Sequence, residues 1–263
     1  MLRRPNRGGC PRVTRHFRCT ACGKCCYGQL PLTWRDAEAN AHLFPLGMVW
    51  TPVPQASKDF KLASQLGKTI KLPDRKELAI LVVPTSFIPA TRPCPALVDN
   101  KLCGIHEQKP ARCRTMPFYP YREERFQNEV IKIKADWECD TSEAAPVIYA
   151  DSKVLDSVDF NIERTQIESE VPMMQRYVEY MMKYTPTLAN QLVLASTSGK
   201  AKHIVTSLSS FITATRYQDA KTLAERQIPV LQAAIDHAKD KPELAEFLRY
   251  YESWHKEMSF LSQ

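Results

Sequence analysis

The sequence is poor in glycine, with 8 among 263 residues against 19 prolines. That shortage works against folds whose chemistry depends on Gly-rich phosphate loops, and no G-x-G-x-x-G occurs. Gly67-Lys68-Thr69 resembles the end of a Walker A loop, but the glycine required five positions earlier is replaced by Leu62, so a nucleotide P-loop is rejected. Long hydrophobic runs are also lacking. The longest, such as Leu78–Pro84, have the length of a core strand and fall well short of the roughly 18 apolar residues of a membrane-spanning helix. Acidic residues are missing from the first 35 positions. The eight basic side chains there (Arg3, Arg4, Arg7, Arg12, Arg15, Arg18, Lys24 and Arg35) leave the remainder nearly balanced, at 28 basic against 29 acidic residues. The net charge of +7 is thus the property of an N-terminal arm. A solvated tail that eases formation of nearby thiolates is the simpler account of it; contact with nucleic acid phosphate or an acidic partner is the less favoured one. The arm has no apolar core segment and no small-residue cleavage site, so it is not read as a secretory signal. The expected location is cytoplasmic, with no membrane association.

Cysteine is abundant: Cys10, Cys19, Cys22, Cys25, Cys26, Cys94, Cys103, Cys113 and Cys139. In a reducing compartment, clustered cysteines read as metal ligands or redox groups. Cys19-Thr20-Ala21-Cys22-Gly23-Lys24-Cys25-Cys26 holds two overlapping C-x2-C units and an adjacent cysteine. A C-x2-C turn folds round an ion with two thiolates converging and backbone N–H groups aimed at sulfur. Cys25 and Cys26 are neighbours whose side chains tend to diverge, so one can serve a second centre or bridge. Further on, Asp99-Asn100-Lys101 is a turn between two short apolar runs, predicting a hairpin that brings Cys94 and Cys103 together. Pro110 suits the first turn of a short helix carrying Cys113. Cys139 follows a period-2 pattern over residues 131–137, which predicts a strand.

Apart from Cys10, read as an exposed thiol in the arm, the metal-ligand candidates are Cys19, Cys22, Cys25, Cys26, Cys94, Cys103, Cys113 and Cys139. Eight thiolates can form two four-sulfur zinc sites, a four-iron cluster with cysteines to spare, or a two-metal centre with bridging sulfur. Zinc modules usually pair one C-x2-C with another. The later cysteines here have eight and nine residues between them, which tilts the reading toward iron, as an iron–sulfur cluster or an iron site, with zinc the close alternative. Packing alone does not readily explain cysteines in such order. His106, three residues after Cys103, is either a ligand or a donor to a thiolate. Arg112 and Arg114 flank Cys113 and are placed to offset thiolate charge or to pair with Glu107, Glu123 or Glu124. Tyr119 and Tyr121 are expected to cover the cluster.

The run from Phe17 to Gly28, then Cys94-Pro95 and Leu97, then Cys103-Gly104-Ile105-His106-Glu107, Lys109-Pro110 and Cys113-Arg114 before Met116-Pro117-Phe118, resembles the CxxCxxCC cysteine-cluster family over roughly residues 17–140. Members are described as zinc- or iron-chelating proteins, some as iron–sulfur oxidoreductases, and flagellin lysine N-methylases are distant relatives. The resemblance implies metal chelation and supplies no reaction. By position it implies Cys19, Cys22, Cys25, Cys26, Cys94, Cys103 and Cys113 as ligands. Cys139 is followed by Asp140-Thr141 where the family commonly has Pro-Gly, and Met116 stands where an aromatic is usual. The radical-enzyme pattern C-x3-C-x2-C for S-adenosylmethionine is absent: Cys22 and Cys26 stand four apart, but Gln29 occupies the third position.

The expected architecture is α+β: a basic arm over 1–16, a small metal-bound cysteine-cluster domain with short strands over 17–150, and an all-α helical region over 151–263. Thr33-Trp34-Arg35-Asp36 predicts a capped helix to about Phe44. Pro45, Pro52 and Pro54 predict a loop, and strands are expected near Thr69–Leu72 and Leu78–Val83. Beyond Asp151, Met174, Tyr177, Val178 and Met181 share one helical face, and Leu244, Phe247, Leu248, Tyr251, Trp254, Met258 and Leu261 form a stripe. These stripes are read as core, with a protein-docking groove as the alternative. Pro172 and Pro242 are placed at helix starts, and Pro229 is expected to kink or split a helix over Asp219–Ala238. Three functional classes follow: a chelating metalloprotein with a metal ion as its first partner; a redox or protein-modifying, methylase-like enzyme with an open coordination position; and a zinc-stabilised adaptor whose arm binds nucleic acid or whose helices bind protein.

Overall fold

A computed structural model describes residues 13–72, 75–131, 133–134, 136–197 and 203–263. Cys10 and all but the last four positions of the arm lie outside the described residues. Among the described residues, two antiparallel sheets and eight α-helices make an α+β fold. Strand β1 (Arg15–His16) leads into the cysteine loop, and β2 (Leu30–Pro31) follows it. Helix α1 (Trp34–Ala39) begins as its sequence dictates, with the Thr33 hydroxyl accepting the Asp36 N–H at 3.1 Å. It stops before Phe44 because the side chain of Asn40 donates to the Asp36 carbonyl at 2.8 Å, alongside Asn40's own N–H.

The prolines expected to make a loop instead lie at the edge of or within β3 (Leu46–Pro54), which pairs along its whole length with β5 (Glu77–Ser86). On its other edge β3 meets β8 (Ile204–Ser207) only as far as Trp50. Pro52 and Pro54 therefore sit beyond the pairing with β8, where among the described residues a missing N–H interrupts no ladder on that edge. Between them, α2 (Phe60–Leu66) turns into β4 (Lys68–Lys71), which joins β5. Gly67 lies at that junction because a Cβ would come within 2.2 Å of the Ile80 carbonyl oxygen, a packing reason unrelated to phosphate.

The short helix α3 (Ala111–Thr115) carries Cys113, and β6 (Val147–Ala150) and β7 (Lys153–Val154) complete a sheet in the order β1-β6-β7. Among the described residues of 131–137 the expected strand is not formed. They hold only a turn, Trp137 N–H to Lys134 O at 3.0 Å, and Lys132 and Ala135 lie outside the described residues. The end of the segment is drawn instead to the cysteine loop, where Asp140 pairs with Arg18 and Glu138 O accepts from the Thr20 hydroxyl.

The rest is helical but for β8, which corrects the all-α expectation: α4 (Val158–Tyr184), α5 (Pro186–Thr197), α6 (Leu208–Thr215), α7 (Ala220–Ala238) and α8 (Ala245–Leu261). Pro172 lies inside α4, not at its start, and α7 runs continuously through Pro229. Pro242 does open the 3-10 turn that leads into α8. No described helix is long and apolar enough to cross a membrane.

Both faces of the β3–β5 sheet are covered, which explains the unbroken apolar run of β5. Met48, Trp50, Leu78, Ile80 and Val82 pack with Tyr177, Phe211, Tyr251, Trp254 and Met258, so both predicted stripes are core. Val53, Ala79, Leu81 and Val83 face Leu62, Leu66, Tyr121 and Ile167. A third cluster joins Phe118, Ile148, Tyr149 and Phe160, with Phe17 packed against it. Gln227, fully buried, ties α7 to the turn before β3: its Nε2 donates to Ala41 O and Phe44 O, and its Oε1 accepts from Leu46 N at 3.0 Å. Gln227→Leu strands three backbone groups in a dry interior, so the unfolding free energy should drop by about 2 to 4 kcal/mol, read as a lower urea midpoint at unchanged m-value.

Candidate metal centre

Three short backbone pairings gather the cysteines. In the first, Arg18 and Asp140 exchange hydrogen bonds at 2.8 and 3.1 Å, and the Thr20 hydroxyl donates to Glu138 O at 2.9 Å. Cys19 and Cys139, next along each strand, are thereby brought side by side. The chain then curls through Ala21 (φ 54°) and Gly23 (φ 72°). The Ala21 N–H points at Cys19 Sγ, 3.4 Å away, the amide-to-sulfur geometry expected of a C-x2-C turn. A Cβ on Gly23 would sit 3.0 Å from Lys101 O, so both backbone angle and space call for glycine here.

The second pairing joins the cysteine loop to the segment before the hairpin. Cys94 N–H donates to Cys26 O at 2.8 Å and Gly28 N–H to Arg92 O at 3.2 Å. The third is the predicted hairpin, closed by Lys101 N–H to Val98 O at 2.8 Å, Val98 N–H to Leu102 O at 3.0 Å and Gly104 N–H to Ala96 O at 2.7 Å. Lys101 has a left-handed backbone, and the Asn100 side chain accepts from Leu102 N, which is turn chemistry legible in the sequence. From there α3 brings in Cys113, with Pro110 at its cap and the Ala111 N–H donating to Asp36 Oδ2 at 2.8 Å.

The sulfurs fall into two sets that share Cys25. Cys139 feels Cys22, Cys19 and Cys25; Cys113 feels Cys94, Cys25 and Cys103; Cys26 feels Cys25, Cys94 and Cys113. Burial, with these like charges added, pushes Cys113 up to about 12 and Cys139 up to about 11, and burial also raises Cys94. A hydrogen bond from Cys26 lowers Cys25 and raises Cys26 itself. For Cys22, burial acts upward, but hydrogen bonds from the Lys24 and Glu138 backbone and from Thr20 outweigh it and the net shift is downward. Cys19 and Cys25 are exposed and the other six partly buried. Among the described residues no three His, Cys, Asp or Glu side chains converge on one point as metal ligands. Eight soft donors are therefore neighbours without closing on an ion, and the donor set suits iron or zinc held by thiolate.

His106 is exposed on the 3-10 turn His106–Gln108. The flanking arginines turn away from sulfur, and their carboxylate partners are on α4, not among Glu107, Glu123 and Glu124. Arg112 meets Glu163 at 3.5 Å and Arg114 meets Asp159 at 3.2 Å. Tyr121 packs in the second core with Leu62 and Ile167, and the exposed Tyr119 lies against Tyr121 and Arg112, in place of the expected cover over the cysteines. The carboxylates of α4 were missed at the level of sequence, yet one signal is there: Glu163 falls within the buried stripe Phe160, Ile167 and Met174. A charge inside an apolar stripe calls for a buried partner.

Residues 18–140 match the family model CxxCxxCC, described as "putative zinc- or iron-chelating domain". No curated protein and no solved structure matches the chain.

Two outcomes are expected of the metal-free protein. With iodoacetamide at pH 7, Cys25 should be alkylated at least about tenfold faster than Cys113, because the thiolate is the reactive form; peptide mass spectrometry reads the ratio. The second concerns Glu170, whose carboxylate accepts the Trp34 and Arg35 N–H groups at 2.7 and 3.0 Å and anchors α1. Burial pushes this carboxyl up to about 7. The folded state then holds a proton that the unfolded chain has already released, so stability should fall by roughly 3 kcal/mol as pH rises from about 4.5 to 7 and then level off. In Glu170→Gln that slope, followed by urea denaturation at each pH, should be absent.

Proposed function

We propose, from the match of residues 18–140 to the CxxCxxCC model of zinc- or iron-chelating domains, that the chain is a chelating metalloprotein whose cysteine thiolates hold iron, as an iron–sulfur cluster or an iron site. One observation carries the reading: three independent backbone pairings and one short helix bring eight cysteines from four places in the chain together as two sets that share Cys25. Burial, with neighbouring thiols added, raises the cost of ionising Cys94, Cys113 and Cys139. A divalent or trivalent cation reverses that cost, since it favours every thiolate at once.

Cys25, Cys26, Cys94, Cys103 and Cys113 form the larger donor set and Cys19, Cys22 and Cys139 the smaller, with Cys25 placed to bridge them. The wide spacing of the later cysteines supports iron over zinc. Zinc is the competing occupant, because the same thiolates accept it with tetrahedral geometry. The exposed positions of Cys19 and Cys25 leave solvent access to both sets.

Anaerobic purification followed by elemental analysis and a visible spectrum of the same sample tests this. Iron, with a broad thiolate-to-iron absorption band, is expected, and both should be lost in the double variant Cys22→Ser, Cys25→Ser. A colourless protein with stoichiometric zinc would transfer the site to zinc, and full metal content in the double variant would end the chelation reading.

A further inference from the structure

The amino-terminal half of α4 grips the Cys113 helix from outside the cysteine loops. Glu163 Oε1 lies 3.5 Å from Arg112 Nη1, and these side chains are only 3% and 5% exposed. The Arg112 Nη2 donates to Phe118 O. Four residues earlier, Asp159 Oδ1 accepts from Arg114 Nε at 3.2 Å and its carbonyl accepts from the Thr115 hydroxyl at 3.3 Å. A third hold passes through α1: Glu170 caps α1, and Asp36 of α1 accepts the Ala111 N–H. Asp159, Glu163 and Glu170 follow one another at helical spacings of four and seven, so they share one face of α4.

Stability does not account for the central pair. Among the described residues, Arg112 Nη1 and Glu163 Oε2 are buried without a hydrogen-bond partner, and a buried ion pair so incompletely satisfied gains little over an apolar pair of equal volume. What it fixes is direction. Successive helical residues are separated by about 100°, so holding Arg112 against α4 turns Cys113 to the adjacent side, where Cys94, Cys25 and Cys103 are its neighbours. It also keeps a permanent positive charge one residue from a group of thiolates.

We propose that Glu163 and Asp159 are positioning residues for the cysteine centre: through Arg112 and Arg114 they set the rotation of α3 that presents Cys113 to the larger set of thiols. The consequence for metal affinity rests on the chelation reading above; the orientation of α3 does not.

Glu163→Gln preserves size and removes the charge, and two measurements follow it. In metal-free protein, alkylation of Cys113 by iodoacetamide should accelerate about tenfold, with Cys19 and Cys22 unchanged, while anaerobic cobalt(II) titration, followed by thiolate-to-cobalt absorption, should show affinity lowered about tenfold or more. Asp159→Asn, at a more exposed pair, should move both in the same direction by about threefold, and it carries the test if Glu163→Gln does not fold. A folded variant with parental Cys113 reactivity and parental cobalt affinity overturns the inference. If the parent protein takes up no cobalt but Glu163→Gln still unmasks Cys113, the chelation reading fails and the positioning of α3 stands.

Discussion

The face of α4 that runs from Phe160 to Met181 is buried against three separate cores. Phe160 packs with Phe118 and Tyr149, Ile167 with Leu62 and Tyr121, and Met174, Tyr177, Val178 and Met181 with the sheet and the C-terminal helices. Burial of such side chains contributes on the order of 2 kcal/mol each, so a single 27-residue helix is pinned at many points along its length. A helix so pinned can hold a charged side chain in the dry interior. Glu163 is held in that way, and through it the cysteine helix inherits the rigidity of the whole molecule.

The cysteine loops are tied to distant parts of the chain. Their order comes from backbone pairing: Arg18 with Asp140, Cys26 with Cys94, Ala96 with Gly104. Such pairings fix where the Cα atoms lie more firmly than where the sulfurs point, which fits eight neighbouring thiols with no three converging among the described residues. Each thiol has one side-chain torsion to adjust, so closure on an ion requires little of the backbone. The opposing force is electrostatic. Cys113 and Cys139 are pushed upward by burial and each by its own neighbouring thiols, so a metal bound there must displace protons, and its affinity would rise with pH.

Local chemistry was legible in the sequence wherever a few adjacent residues decide the outcome. Thr33 caps α1, Asn100 and Lys101 make the turn between Cys94 and Cys103, Pro110 precedes the helix of Cys113, and the two apolar stripes are buried. Misreadings arose where a distant partner decides. Pro52 and Pro54 look like loop residues until β3 is seen to run past the end of β8. The alternation over 131–137 looks like a strand, but the backbone just beyond it is taken up by the cysteine loop, Glu138 with Thr20 and Asp140 with Arg18. Arg112 looks like a counter-ion for thiolate because its true partner, Glu163, lies 51 positions away, a pairing that no local pattern encodes.

That separation bears on what a cysteine-cluster domain needs in order to be complete. The family match ends at residue 140, before α4 begins. Within the match, Asp36 supplies one hold on α3, at the Ala111 N–H. The two carboxylates that meet its arginines, Asp159 and Glu163, are outside it, as is Glu170, which anchors the helix bearing Asp36. The cysteines thus belong to the family segment, but the orientation of one of them is taken from the helix that follows. The same helix contributes Tyr177 to the core shared with Trp50 and Phe211. A change in how the C-terminal helices pack would therefore reach Cys113 through contiguous side chains, by way of a buried charge that can relax in few directions.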